Sequence, residues 1–230
     1  RRNLYGRHLV GAALTKRIGA ICKLANEMID EWFNPASGMT EYDPATGKYT
    51  MELGKAFANE FPIRVVCQVL GFPDEARDKF YYWYKYMMGG IGGRDYEQKG
   101  LMARQDLEDF VESIVEERRL KPNFLLDDEG NEVAPDIISE LCKTIVDGDV
   151  LSTEEITSNI ALIVGGGGET TRGAILNMWY LLLQHPDQME AVLNNDPLWD
   201  AAFHETLRHS SSIGGQPRQN TFDVELQGVK

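Results

Sequence analysis

Gly165-Gly166-Gly167-Gly168-Glu169-Thr170-Thr171 constrains this chain more than any other stretch, because it interrupts what otherwise reads as one long helix. Ser152-Thr153-Glu154-Glu155 opens that helix as a capping box, and His185-Pro186 closes it, since proline disfavours helical geometry in the residue before it. The span between is about 32 residues, or roughly 48 Å of helix. Apolar residues lie on most sides of it, from Ile160 to Val164 before the glycines and from Met178 to Leu183 after them. That pattern predicts a helix through the middle of a protein. Four glycines in such a helix cost roughly 4 kcal/mol against alanine, so they imply a use. Glycine removes side-chain bulk and lets a backbone or ligand come close. With Glu169 and Thr170 directly after the gap, the stretch suggests a place where something flat binds and protons are delivered.

A second reading makes Asn159–Val164 a buried strand and the glycines a phosphate-cradling loop. The match is poor. Glu169 stands where such a loop needs lysine, and Thr170 stands where the dinucleotide fingerprint needs its third glycine. A third reading gives the glycines no chemistry and only lets another helix pack closely, as in a non-catalytic interaction domain.

The rest of the chain narrows the field. A net charge of −13 disfavours a general nucleic-acid binder. Cys22, Cys67 and Cys142 are odd in number and far apart, which gives no disulfide framework or zinc spacing and predicts a reducing, cytoplasmic setting. No apolar run is long enough to span a membrane. The start at Arg1-Arg2 and the stop at Gly228-Val229-Lys230 read as a piece cut from something longer.

Periodicity predicts a mainly α fold with a small β part. Helices are expected over Thr15–Phe33, with Ile18, Ile21, Cys22, Ala25, Ile29 and Trp32 inward; over Met51–Leu70, broken or kinked at Pro62; from Pro73 through the aromatic run Phe80–Met88; and over Asp95–Leu120. A short helix over Asp136–Val146 and two more over Pro186–Asn194 and Pro197–His209 complete the set. Asp43–Gly47 is a turn in a small hairpin, Phe124–Ala134 an acidic loop, and Thr221–Val229 an edge strand. The aromatic run reads as core, or, with Gly89-Gly90-Ile91-Gly92-Gly93 after it, as a lid over an apolar pocket.

His204 and His209 are five apart, which excludes a zincin pair, whose histidines sit four apart on one helix face. Glu205 and Arg208 are helix neighbours, and on spacing alone an ordinary surface ion pair.

In their order these features resemble the bacterial soluble cytochromes P-450, the haem-thiolate monooxygenases. Gly166-Gly167-Gly168-Glu169-Thr170-Thr171 is similar to the family's oxygen-binding signature, and Glu205-Thr206-Leu207-Arg208 to its Glu-x-x-Arg helix. Pro217-Arg218 with Asp223–Gly228 resembles the segment after that helix, and Arg7-His8-Leu9-Val10 the end of a propionate-binding helix. The resemblance implies a single, incomplete family domain over residues 1–230, from about the C helix to the strand after the K helix. It lacks the N-terminal part and the C-terminal cysteine loop. It implies haem b as cofactor, with Gly166 and Gly167 at the oxygen site, Glu169 and Thr170 steering protons, and Arg218 and Arg7 on the propionates. Asn3 stands where the family usually has a histidine before that first arginine. Glu205 and Arg208 become a structural pair, expected to be buried, and Phe80, Tyr84, Ile163, Gly166, Ile213 and Gly214 shape the substrate pocket. None of the three cysteines has the Phe-x-x-Gly-x-x-x-Cys-x-Gly setting, so the axial ligand is expected beyond Lys230. The implied partners are an apolar substrate, dioxygen, and a ferredoxin with its NAD(P)H-dependent reductase, docking near Arg1, Arg2, Lys16 and Arg17. By the same resemblance the piece alone is expected to be inactive.

Overall fold

Helix α1 (Gly11–Phe33) opens the part of the chain that the computed structural model describes, namely residues 11–89, 94–126, 129–146, 148–215, 221–225 and 228. The chain divides into two compact units, Arg1–Arg172 and Gly173–Lys230.

In the first unit a hairpin, β1 (Thr40–Asp43) with β2 (Lys48–Met51), follows α1. Asp43 closes its turn by accepting from Ala45 N at 2.9 Å and Thr46 Oγ1 at 2.7 Å. A π-helical turn (Gly54–Ala58) then leads into α2 (Glu60–Leu70). Trp32 pins that turn, donating its indole N–H to Ala56 O at 3.2 Å and meeting Phe57 edge-on. The break in this segment therefore falls at the π turn. Pro62 sits in the first turn of α2, where no intrahelical N–H is required. Gly71, at φ 78°, ends α2 in the left-handed conformation that glycine reaches without strain.

Helix α3 (Ala76–Gly89) starts three residues after Pro73, and α4 (Arg94–Leu120) lies against it. Between α4 and α5 (Ile137–Lys143) the expected acidic loop carries a two-residue pair, β3 (Leu125–Leu126) with β4 (Glu132–Val133). A second such pair, β5 (Ile145–Val146) with β6 (Asp149–Val150), takes what was read as the end of α5. The core gathers Leu70, Phe80, Trp83, Leu107, Val111, Val115, Ile137, Leu141, Ile156 and Val164, all fully buried. Trp83 satisfies its buried N–H on Asp106 Oδ2 at 2.6 Å. On α1 the inward residues are Ile21, Leu24, Ala25, Met28 and Trp32, whereas Ile18, Cys22 and Ile29, also expected inward, are exposed.

Helix α6 (Thr153–Gly167) starts on the expected capping box: Glu155 N donates to Ser152 Oγ at 3.1 Å, and Ser152 N to Glu155 Oε2 at 3.0 Å. The long helix is two. α6 ends at Gly167, and α7 (Glu169–Gln184) restarts one residue later. The all-round burial expected of it is not found: Leu162, Tyr180 and Leu183 are more than half exposed.

In the second unit α8 (Pro186–Leu193) packs on α9 (Leu198–His209), and Trp179 meets Trp199 with ring centroids 6.0 Å apart. The described residues Thr221–Glu225 form no strand, so the expected edge strand is absent there.

Candidate functional site

The last carbonyls of a helix have no partner within it. At the end of α6, Gly166 O is supplied by Thr170 Oγ1 at 2.7 Å. Gly168, at φ −84° and ψ −74°, is the break, and its own carbonyl accepts from Arg172 N at 3.0 Å as α7 begins.

The glycines differ in surroundings. A Cβ on Gly167 would lie 2.7 Å from Val66 Cγ2, so its smallness lets α2 approach. A Cβ on Gly168 would touch the Tyr84 ring at 3.6 Å and Phe80 at 3.8 Å. A Cβ on Gly166 would meet nothing within 4 Å, and that residue is exposed. The break thus has packed sides at Gly167 and Gly168 and an open side at Gly166.

Glu169 opens α7 with both carboxylate oxygens engaged. Tyr84 Oη donates to Oε2 at 2.8 Å and Arg172 Nη1 to Oε1 at 2.8 Å. Arg172 Nε donates in turn to Asn59 Oδ1, at the end of the π turn. Burial, then the bond to Glu169, pushes the Tyr84 phenol well above its ordinary range. Spacing could have disclosed Glu169 with Arg172, three apart on one helix. Nothing local discloses Tyr84 or Asn59, which lie 85 and 113 residues from their partners.

Of the expected pocket residues, Phe80 is fully buried in the core, Tyr84 is half-buried and tied to Glu169, and Ile163 packs against the core. Ile213 and Gly214 are exposed on the loop after α9. Glu205 and Arg208 form a two-pronged bridge, with both bonds at 2.7 Å. The pair is not buried as expected: its side chains are 61% and 70% exposed, since α9 buries Thr206 instead. The Arg208 guanidinium holds the Glu205 carboxyl below its usual range. In the same unit a cleft of about 490 Å³ runs between α7, α8 and α9, lined by Leu182, Val192, Leu198 and Glu205 among others. Arg7 and Arg218 lie outside the described residues, as do Arg1, Arg2 and the glycine segment at 90–93.

A helix broken at glycine, followed by an acid and a hydroxyl that bonds back across the break, is a local geometry that many chains could reach. The sequence profile of the cytochrome P-450 family matches residues 68–230, which include both the break and the Glu205–Arg208 pair. The chain belongs to the cytochrome P-450 family.

It is 32% identical over 163 residues to a cytochrome P-450 of Bacillus subtilis (strain 168), covering 71% of this chain and 37% of that protein. It is 30% identical over 224 residues to the vitamin D(3) 25-hydroxylase of Pseudonocardia autotrophica, covering 97% of this chain and 50% of that one. The crystal structure of CalO2 superposes with a TM-score of 0.76 at 24% identity over 99% of this chain and 52% of its own, a likeness of fold. The chain spans half or less of the length of these two relatives. The phosphate-loop reading falls, because residues 159–164 are helix and not strand.

P-450 proteins are haem-thiolate proteins as a family, and this chain's residues fit that group on one side. The Gly166 face is open, with the Thr170 hydroxyl beside it. The cysteines do not fit the axial position. Cys67 lies within α2, buried in the core, and Cys142 lies within α5, packed against that core, so neither sits on a loop that could present a thiolate. Cys22 lies in the middle of α1, with no glycine-bearing loop around it.

Proposed function

We propose that the full-length protein is a haem-dependent monooxygenase that inserts one oxygen atom from dioxygen into an apolar small molecule. Membership of the P-450 family supports this, and the observation that carries it is the open side of the helix break at Gly166, bonded across to Thr170. The name of the Pseudonocardia relative, a vitamin D(3) 25-hydroxylase, supports the substrate class.

Haem b, when bound, supplies the activation of dioxygen. Gly166 would then leave room at the oxygen site by lacking any neighbour on its Cβ side, while Gly167, expected there with it, faces Val66 of α2 instead. The Thr170 hydroxyl donates to Gly166 O and keeps its lone pairs free to hold a water, which sets the position of a proton next to that space. The Glu169 carboxylate, one residue earlier, is the other proton-handling group. Arg218 and Arg7 would neutralise the propionates, and the iron would be held by the thiolate of a cysteine other than Cys22, Cys67 and Cys142. The resemblance would make the Glu205–Arg208 bridge structural in the full-length protein, although its side chains are exposed in this chain. Electrons arrive from NAD(P)H through a reductase and a ferredoxin, which docks at a basic face including Lys16 and Arg17.

The test is the reduced carbon monoxide spectrum of the full-length gene product. A Soret band at the red-shifted position of a thiolate-ligated complex is expected, and a haem-free or histidine-type spectrum would overturn the reading.

A further inference from the structure

We propose that Tyr84 is a positioning residue for Glu169: its hydroxyl, donating from α3 to the carboxylate at the start of α7, fixes which way that carboxylate faces at the helix break. This rests on the monooxygenase reading above and adds to it a residue that sequence reasoning had placed in the substrate pocket.

A glutamate on the first residue of a helix, about half exposed, is free to sample several rotamers. Glu169 is not free. Its oxygens are divided between a phenol from another helix and a guanidinium on its own, and that guanidinium is braced by Asn59 from a third segment. The two long-range bonds tie the break to α3 and to the π turn, which packing of the glycines alone does not require. The Tyr84 ring also lies 3.6 Å from where a Gly168 side chain would start, so the phenol has a fixed perch. Hydrogen bonds to an ionised carboxylate are about twice as strong as neutral ones, and a donor held by packing holds its acceptor in turn. Since Thr170 follows Glu169 directly, an oriented carboxylate keeps proton delivery beside the Gly166 space in one geometry. A phenol committed in this way acts on proton supply and not on substrate affinity.

The experiment uses the full-length protein and Tyr84→Phe, which keeps the ring and removes only the hydroxyl. Substrate affinity from the spin-state titration should be unchanged, and the carbon monoxide band normal. The ratio of hydrogen peroxide to hydroxylated product should rise about tenfold, the effect of one such bond. Combined with Glu169→Gln, the two changes should be non-additive, both in that ratio and in the thermal unfolding midpoint. Additive effects, or an unchanged ratio with a normal carbon monoxide band, overturn the positioning role. Weakened substrate binding with an unchanged ratio returns Tyr84 to the pocket wall. Absence of the thiolate band in the parent protein overturns the monooxygenase reading instead.

Discussion

The Thr170 hydroxyl has one proton, and it goes to Gly166 O. Replacing Thr170 with alanine removes that donor and leaves the open space as it was. In the full-length enzyme substrate binding and electron uptake should survive, while NAD(P)H oxidation runs on to hydrogen peroxide with little hydroxylated product. Proton-transfer groups of this kind typically contribute about 10²–10⁴-fold, and the product-to-NAD(P)H ratio measures the loss. The two neighbouring glycines separate packing from function. Gly167→Ala drives a methyl into Val66 and should lower stability by about 1–3 kcal/mol. Gly166→Ala meets nothing and should raise stability by up to about 1 kcal/mol, yet cut product formation if that space belongs to dioxygen. Unfolding midpoints and turnover for both variants decide the matter. These residues were legible because glycine, acid and threonine are adjacent in the chain. The roles of individual glycines were not legible, since they depend on whether Val66, Tyr84 or nothing faces them.

At the scale of elements, local chemistry read well where the signal was local. The capping box of α6, the proline start of α8 and the Asp43 turn all form as their residues predict. Ser152→Ala removes one half of the box and should cost about 1 kcal/mol, seen as a fall of a few degrees in the unfolding midpoint. Elements fixed by distant partners read poorly. The π turn is pinned by Trp32, more than 20 residues earlier in the chain, and the two-residue strand pairs β3–β4 and β5–β6 are too short to show a period. The long-helix reading failed by one residue, Gly168, because apolar residues on either side of the glycines do not show which glycine ends a helix.

For the molecule as a whole, the class was legible from composition and period, and the burial of particular surfaces was not. The Glu205–Arg208 pair was found by spacing, but its exposure depends on what packs on α9. The buried thiol of Cys67 gives a global readout. Its proton is held up to about 12 against an ordinary 9.0, because burial penalises the thiolate. The folded state therefore keeps a proton that the unfolded chain gives up. The associated stability is fully present below pH 9.0 and is lost as the pH rises toward 12, at up to about 1.4 kcal/mol per pH unit. Denaturation midpoints on either side of pH 9.0 should show the decline, and Cys67→Ala should flatten it.

The one-residue interruption at Gly168 also has a consequence in time. An unbroken helix of this length would exchange its amide hydrogens from its two ends inward. Here an end lies in the middle. Glu169, Thr170 and Thr171, as the opening residues of α7, have no carbonyl of their own helix to protect their amides. In deuterated water these three should exchange early, flanked on both sides by slow amides from α6 and from the body of α7. Exchange that rises smoothly from the ends alone would mean that the two helices behave as one.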